Sequence, residues 1–444
     1  MGKYFGTDGV RGRANDSLTL SMAIKIGEYL GWYYSKKKPA KILIGKDTRL
    51  SSSMFEMGLA AGATSTGATV YLLGVCPTPS VSYLIQDQQF DCGIMVSASH
   101  NPYYDNGIKL FNGQGMKMNA EIEEKIEAYM DGQATISLAV DQAIGKVVSY
   151  VEGMEIYQSY LRRCVPVSLQ GMRIALDLAN GSATSCAYEL FTSLGASVDV
   201  IHSEPDGINI NTHCGSTHPE GLQELMKSGK YDAGFAFDGD ADRLIAVNEV
   251  GELVTGDHIL YICGCYMFDK QILKKDTVVT TVMSNLGLYR AFDRKGIRYE
   301  QTAVGDKYVF ECMLKDDYGI GGEQSGHIIF KDHANTGDGI LSALKLLEIM
   351  KNTGHSLKTL SQDLTIYPQL LQNVPVKDKA AALKDASLLA CIEEVAKELG
   401  EDGRILVRPS GTEPLVRVMV EAKSDQLCEK YVTHVVNFIK TQGL

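Results

Sequence analysis

Gly93-Ile-Met-Val-Ser-Ala-Ser-His-Asn-Pro102 joins an apolar run to a tight turn. The first half, 93–97, is a continuous apolar stretch opened by glycine, which predicts a buried strand. The second half is a turn fixed by Pro102, with the Ser99 hydroxyl beside the imidazole of His100. Ser99 is therefore expected at the C-terminal end of a strand, where ligands bind in open α/β sheets.

The flanking sequence supports that fold class. Leu20, Ala23, Ile24, Gly27, Leu30 and Tyr34 follow helical spacing, and Lys41–Gly45 and Thr69–Leu73 read as short buried strands. A charged helix is predicted over 119–130 and a looser stretch over 131–150. The alternation then restarts, with strands at Arg173–Asp177, Val198–Ile201 and Ala233–Phe237 and a helix after Asn180-Gly181. A third round has a helix over 256–268, a strand over 277–282, a helix from Asn285, a strand over 297–302 and a helix over 336–350. The last 75 or so residues differ: a helix (379–399), two strands (404–408 and 415–421) and a helix (424–440) make an α+β pattern. The expected architecture is α/β: three related α/β domains with mixed sheets at 1–150, 151–254 and 255–368, plus a C-terminal α+β domain at 369–444. A chain of 444 residues is too long for one ordinary core, which agrees.

Composition bounds the partners. A net charge of −11 argues against nucleic acid. No apolar run approaches the roughly 20 residues needed to span a bilayer, and the first residues lack a signal peptide's charged start and apolar core. Met1-Gly2 is not followed by the Ser or Thr that myristoylation needs, because position six is Gly6. The ten cysteines are scattered without a CxxC, which predicts a reducing, cytoplasmic home.

Four further stretches carry chemistry. Asp238, Asp240 and Asp242 alternate, so their carboxylates converge in an extended loop and form an oxygen cage for a hard cation such as Mg²⁺. Glu249 falls where a calcium loop of the EF-hand type ends, but Arg243 occupies the position that needs glycine and the flanks are strand-like. Gly321-Gly-Glu-Gln-Ser-Gly-His327 lets a backbone approach a ligand closely, and Glu323 and Ser325 suit neighbouring sugar hydroxyls. Arg408, Ser410, Gly411, Thr412 and Arg417 surround a turn and form an anion nest. Arg11, in Phe5-Gly-Thr-Asp-Gly-Val-Arg-Gly12, is with His100 and Lys109 a candidate donor to a phosphate carried by Ser99. Adjacent Ser and His rarely face one another, and no G-x-S-x-G elbow is present, so a Ser–His hydrolase is disfavoured.

In order and wording these motifs resemble the α-D-phosphohexomutase family, from residue 4 to the C-terminal helix. The Glu-Gln-Ser sequence at 323–325 is most similar to the family's phosphoglucosamine mutases. Two positions depart from common family patterns: Asp306 stands where several relatives have histidine, and Ala241 where many have glycine. The resemblance implies that Ser99 is the phosphoserine. It assigns Asp238, Asp240, Asp242 and the Ser99 phosphate to Mg²⁺, with Arg243 steadying that phosphate and Arg11 at the active centre. It places Glu323, Ser325 and His327 on the sugar, and the Arg408–Arg417 loop on the phosphate that is not reacting. The expected site is a central cleft to which each domain brings one loop.

The implied reaction interconverts glucosamine 6-phosphate and glucosamine 1-phosphate through a hexosamine 1,6-bisphosphate, feeding UDP-N-acetylglucosamine and peptidoglycan precursors. Arg11, His100, Lys109 and His327 are candidates for the general base. The alternatives are a phosphoglucomutase/phosphomannomutase and a metal-dependent sugar phosphatase. The expected partner is a small sugar phosphate, with neither nucleic acid nor membrane, and a homodimer is compatible with the reading.

Overall fold

A computed structural model describes residues 2–6, 8–410 and 415–443. Four sheets organise them. Strands β1 (Val10–Arg13), β2 (Lys41–Lys46), β3 (Thr69–Val75), β4 (Cys92–Val96), β5 (Asp105–Asn112) and β6 (Lys146–Ser149) form the first, in the order β1-β5-β4-β2-β3-β6. Strands β7 (Arg173–Asp177), β8 (Ser197–Ile201), β9 (Ala233–Phe237), β10 (Leu244–Val247) and β11 (Leu253–Val254) form the second, in the order β11-β10-β9-β7-β8. Strands β12 (Thr277–Thr281), β13 (Arg298–Thr302), β14 (Ile320–Gly322) and β15 (Ile328–Phe330) form the third, in the order β13-β12-β14-β15. Strands β16 (Gln369–Pro375), β17 (Gly403–Pro409) and β18 (Leu415–Ala422) make an antiparallel fourth sheet.

The first three sheets share one plan. In each, parallel strands end in a strand that turns back on itself as an antiparallel hairpin: β4–β5, β9–β10 and β14–β15. The three hairpin loops are 97–104, 238–243 and 323–327. Ser99, the aspartates and the Glu323–His327 loop thus occupy equivalent places in three mixed sheets. β4 and β9 are buried along their whole length, which explains their continuous apolar sequences.

The chain divides into two compact units. One comprises the described residues of 1–282 and 298–361 and holds the first three sheets. One of its apolar clusters includes Ile26, Leu30, Ile42, Ile44, Phe55 and Ile94. The other comprises 283–297 and the described residues of 362–444. In it Asn285 caps the helix Leu286–Lys295 by accepting from Gly287 N–H. The buried Glu421 accepts from Leu286 N–H, Arg404 Nε and Gln369 Nε2 at 2.9, 2.6 and 2.8 Å.

Several local expectations are corrected. The helix expected from 336 is Gly339–Thr353, because Asp338 is its cap and accepts from Leu341 N–H at 2.9 Å. The helix expected over 379–399 is two, Lys379–Ala382 and Ala386–Leu399, since the Asp385 side chain starts the second by accepting from Ser387 and Leu388 N–H. The looser stretch 131–150 supplies β6, which pairs in parallel with β3. Among the described residues no helix is long and apolar enough to cross a membrane, and all ten cysteines are free.

Candidate active site

Ser99 is buried and left-handed, with φ of 53°. That conformation costs a non-glycine residue about 1–2 kcal/mol and persists only when the surroundings hold it. Arg49, whose side chain is fully buried, supplies the hold. Its Nη2 donates to the carbonyls of Ser99 and Asn101, each at 2.8 Å, and its Nη1 to those of Pro102 and Asp105. Nε pairs with Asp47 at 2.8 Å. Asn211 donates a second bond to the Ser99 carbonyl at 2.9 Å, and Ser97 Oγ accepts from Ser99 N–H at 2.9 Å. Arg49, Asp47 and Asn211 were not among the expected site residues.

The Ser99 hydroxyl donates to Asp238 Oδ2 at 2.6 Å. It also lies 3.3 Å from His100 Nδ1, so the adjacent Ser and His do approach one another, contrary to expectation. The left-handed turn causes this. They do not form a nucleophile–base pair, because Arg243 Nη1 stands 3.2 Å from the same Nδ1 and can only donate to it. The proton is therefore on Nε2. Burial, then Arg243 and Arg11, push the His100 pKa down to about 4 and keep the ring neutral.

Asp238, Asp240 and Asp242 converge: one oxygen from each lies within 4.8 Å of the others. All three are buried. Asp240 Oδ2 accepts from Lys109 at 2.7 Å and from Thr78 Oγ1, and Lys109 reaches Asp242 at 3.3 Å. Asp240 Oδ1 and Asp242 Oδ1 are buried with no hydrogen-bond partner among the described residues. A buried carboxylate oxygen without a partner is costly. Burial, then Asp242 and Asp240, hold the Asp238 carboxyl well above its usual range. Burial also acts to raise Asp240, but Lys109 outweighs it and brings that group to about 2. A cluster of this kind, with one member pushed towards neutrality and two oxygens unsatisfied, fits a divalent cation bound by oxygen.

Around the cage runs a chain of charges. Asp8 contacts Arg11 at 2.5 Å, Lys117 at 2.9 Å and Lys109 at 3.3 Å. Lys117 bridges to Asp306 at 2.8 Å, and Asp306 lies 3.6 Å from His327 Nε2. Burial opposes ionisation of Asp8, but Lys109, Lys117 and Arg11 outweigh it and hold its carboxyl well below the usual range. Burial likewise opposes the Lys109 charge, but Asp240, Asp8 and Asp242 hold it as an ammonium. Neither Asp8, which lies in the quoted Phe5–Gly12 stretch, nor Lys117, a lone charge outside any motif, was among the expected site residues.

The Glu323–His327 loop meets the aspartate hairpin. Gly326 N–H and carbonyl bond to Glu323 O and Leu244 N–H at 2.9 and 3.0 Å. Gly326 has φ of 92°, and a Cβ there would fall 2.1 Å from Leu244 O, so this position requires glycine. Glu323 Oε1 accepts from Gly305 N–H at 3.1 Å. Ser325 is exposed, whereas His327 is buried and accepts from Gly337 N–H at its Nε2, 3.2 Å away. A cavity of about 540 Å³ opens nearby, lined among others by Asp8, Lys109, Lys117, Glu123 and Asp306; Ser99 does not line it.

In the second unit, Arg408 and Arg417 stand directly opposite in the β17–β18 register. Like charges so placed repel. Burial, then Arg417, lower the Arg408 pKa, and Arg408 Nε has no partner among the described residues. An anion relieves both effects. Ser410 is buried, and its carbonyl accepts from Lys379 at 2.8 Å. Gly411 and Thr412 lie outside the described residues.

Comparison with known proteins agrees in extent and order. Four family models match: phosphoglucomutase/phosphomannomutase alpha/beta/alpha domains I, II and III over residues 2–136, 150–251 and 255–367, and the C-terminal domain over 371–438. A phosphoglucosamine mutase of Lachnospira eligens is 57% identical over 447 residues, covering 100% of this chain and 99% of its own. That of Bacillus subtilis is 50% identical over 444 residues, with 100% and 99% covered. Among solved structures, a phosphoglucomutase/phosphomannomutase family protein from Burkholderia thailandensis superposes with a TM-score of 0.81 at 24% identity, covering 99% of this chain and 97% of its own. An Aspergillus fumigatus N-acetylphosphoglucosamine mutase, solved with GlcNAc-6P and magnesium, gives a TM-score of 0.73 at 19% identity, with 99% and 96% covered.

Proposed function

The chain belongs to the phosphoglucomutase/phosphomannomutase family, and we propose that within it the protein interconverts glucosamine 6-phosphate and glucosamine 1-phosphate by way of a phosphorylated Ser99. The observation that carries this reading is the Ser99 hydroxyl, 2.6 Å from Asp238 in a cage whose Asp240 and Asp242 each keep an unpaired buried oxygen. A serine ester of phosphate placed there meets three cationic groups: Lys109 behind the cage, Arg243 beside His100, and Arg11 paired with Asp8.

Charge balance gives the residues their roles. Phosphorylated Ser99 gives its phosphoryl group to the free hydroxyl of the hexosamine 6-phosphate. The Oγ–P bond breaks, a sugar O–P bond forms, and the proton lost by the sugar hydroxyl is balanced by the one the freed Ser99 Oγ takes up, giving the 1,6-bisphosphate. Ser99 then takes back the 6-phosphate and leaves the 1-phosphate. Asp238, Asp240 and Asp242 would hold Mg²⁺, which supplies charge neutralisation on a transferring phosphoryl group. Arg243 keeps Nδ1 of His100 occupied, so the imidazole presents an N–H at Nε2 as a donor. Lys109 and Arg11 stay protonated and act as fixed positive charges. Glu323 and Ser325 read ring substituents, with His327 behind them. Arg408, Ser410 and Arg417 form a phosphate-binding set, which a simple phosphatase would not need.

The test is a coupled assay across glucosamine, glucose and mannose 6-phosphates. The highest kcat/KM is expected for glucosamine 6-phosphate, and a clear preference for mannose or glucose would overturn the substrate. Two expected results follow from the geometry. Chelation should abolish turnover and Mg²⁺ should restore it, with Asp240→Asn weakening metal binding; full activity in excess chelator would contradict the cage. Glu323→Gln should change the ranking of the three sugars. Arg417→Ala should weaken all three alike, by about 1.5–3 kcal/mol, the worth of a hydrogen bond to a charged group. The opposite pattern in kcat/KM would exchange the two roles.

A further inference from the structure

A second cluster of ligating groups lies in the second sheet, outside the aspartate cage. Asp177 ends β7, His202 follows β8 directly, and Cys214 sits in the loop leading to a short 3₁₀ turn at Gly215–Thr217. Their ligand atoms lie within 4.8 Å of one another. We propose that Asp177, His202 and Cys214 form a site for one borderline-soft divalent cation, zinc in type, that ties together the backbone behind Ser99.

Three observations carry it. First, the donor set suits the ion. Carboxylate, imidazole and thiolate are the zinc ligands, and a three-ligand site keeps its fourth position for water. Asp177 and Cys214 are fully buried, and His202 leaves about a third of its side chain open to solvent, which gives that water access. A thiolate and a carboxylate around a divalent cation sum to zero charge, which a buried site favours.

Second, the outer contacts leave the ligand atoms aimed inward. Asp177 Oδ1 and Oδ2 each accept one backbone N–H, from Ala179 at 3.0 Å and Gly215 at 2.9 Å. Asn180 Nδ2 stands 4.0 Å from Cys214 Sγ. Supporting bonds of this kind orient metal ligands. His202 Nδ1 lies 3.0 Å from Asp177 Oδ1, so the imidazole and the carboxylate already face each other.

Third, the surrounding backbone is unusual. Ala179, Asn180, His202 and Asn211 are all left-handed, with φ of 53°, 48°, 50° and 57°. Such residues persist where other interactions fix them. Asn180 N–H bonds to His202 O at 2.7 Å and Asn211 N–H to Ala179 O at 3.0 Å. The Asn211 side chain then holds the Ser99 carbonyl. A cation on Asp177, His202 and Cys214 would lock this shelf, so the inference concerns structure and does not depend on the sugar that is turned over.

The experiment uses the full chain, stripped with chelator and returned to excess Mg²⁺ to occupy the oxygen cage. Co²⁺ is added as a probe. The expected result is about one equivalent of Co²⁺ bound with a thiolate-to-cobalt charge-transfer band, which an all-oxygen cage cannot give. Cys214→Ser should abolish the band. His202→Gln, at a partly exposed position, should weaken binding by at least about tenfold. Asp240→Asn should keep the band. Zn²⁺ should raise the Tm of the parent protein and leave that of His202→Gln unchanged. No band in the folded parent protein, a band that survives Cys214→Ser, or unchanged affinity in His202→Gln would each overturn the site.

Discussion

Ser99→Ala is expected to lose roughly 10⁴-fold or more of mutase turnover, the scale on which removal of a nucleophile that acts as part of a unit is felt. The measurement is kcat/KM with glucosamine 6-phosphate. The fold should survive, because alanine at φ of 53° is no worse placed than serine and the bonds that Arg49, Asn211 and Ser97 make to the turn run to its backbone, not to the Ser99 hydroxyl. Ser97→Ala is the control. It removes the acceptor for Ser99 N–H but no reacting atom, so it should slow the enzyme without abolishing turnover. An active Ser99→Ala protein would remove the basis of the account.

The second large effect is on stability. Arg49→Met is expected to cost about 3–5 kcal/mol, because it strands Asp47 as an unpaired buried carboxylate and releases three carbonyls of the serine loop and that of Asp105 at the start of β5. Urea denaturation would measure it. Asp47→Asn combined with Arg49→Met should recover part of the loss, since no buried charge is then left alone. Arg49→Lys keeps the charge but not the fork, and should lose activity by loosening the Ser99 turn even where it folds. A loss under about 1 kcal/mol in Arg49→Met would show that the clamp does not hold the loop.

The sequence made parts of this site readable for physical reasons. β4 and β9 are buried along their whole length, so their apolar runs are continuous, and the chemistry follows each strand directly. The places of Ser99 and the three aspartates just past the strand ends were therefore legible. The second halves of the hairpins were harder. β14 and β15 have three residues each, too few to show a period. β16, whose exposure varies along Leu370–Val374, escaped notice, although β17 and β18 beside it were found. The helix Ser52–Ser65 also escaped, because its glycines, serines and alanines carry little amphipathic contrast.

Arg49 was missed for a different reason. Lys46-Asp-Thr-Arg49 reads as an ordinary polar strand exit, and only the fold shows that the guanidinium turns inward onto a loop about 50 residues away. The approach of Ser99 to His100 belongs to the same class, since it depends on a left-handed turn that sequence does not announce.

The central claim is that Ser99 carries the phosphoryl group between enzyme and sugar. The most direct test loads the protein with phosphate-labelled hexosamine 1,6-bisphosphate, maps the labelled peptide, and then chases with unlabelled glucosamine 6-phosphate. The account predicts label on Ser99 that moves into sugar bisphosphate and sugar phosphate during the chase. Label on Ser97, or label released from Ser99 as inorganic phosphate without passing to sugar, would contradict it.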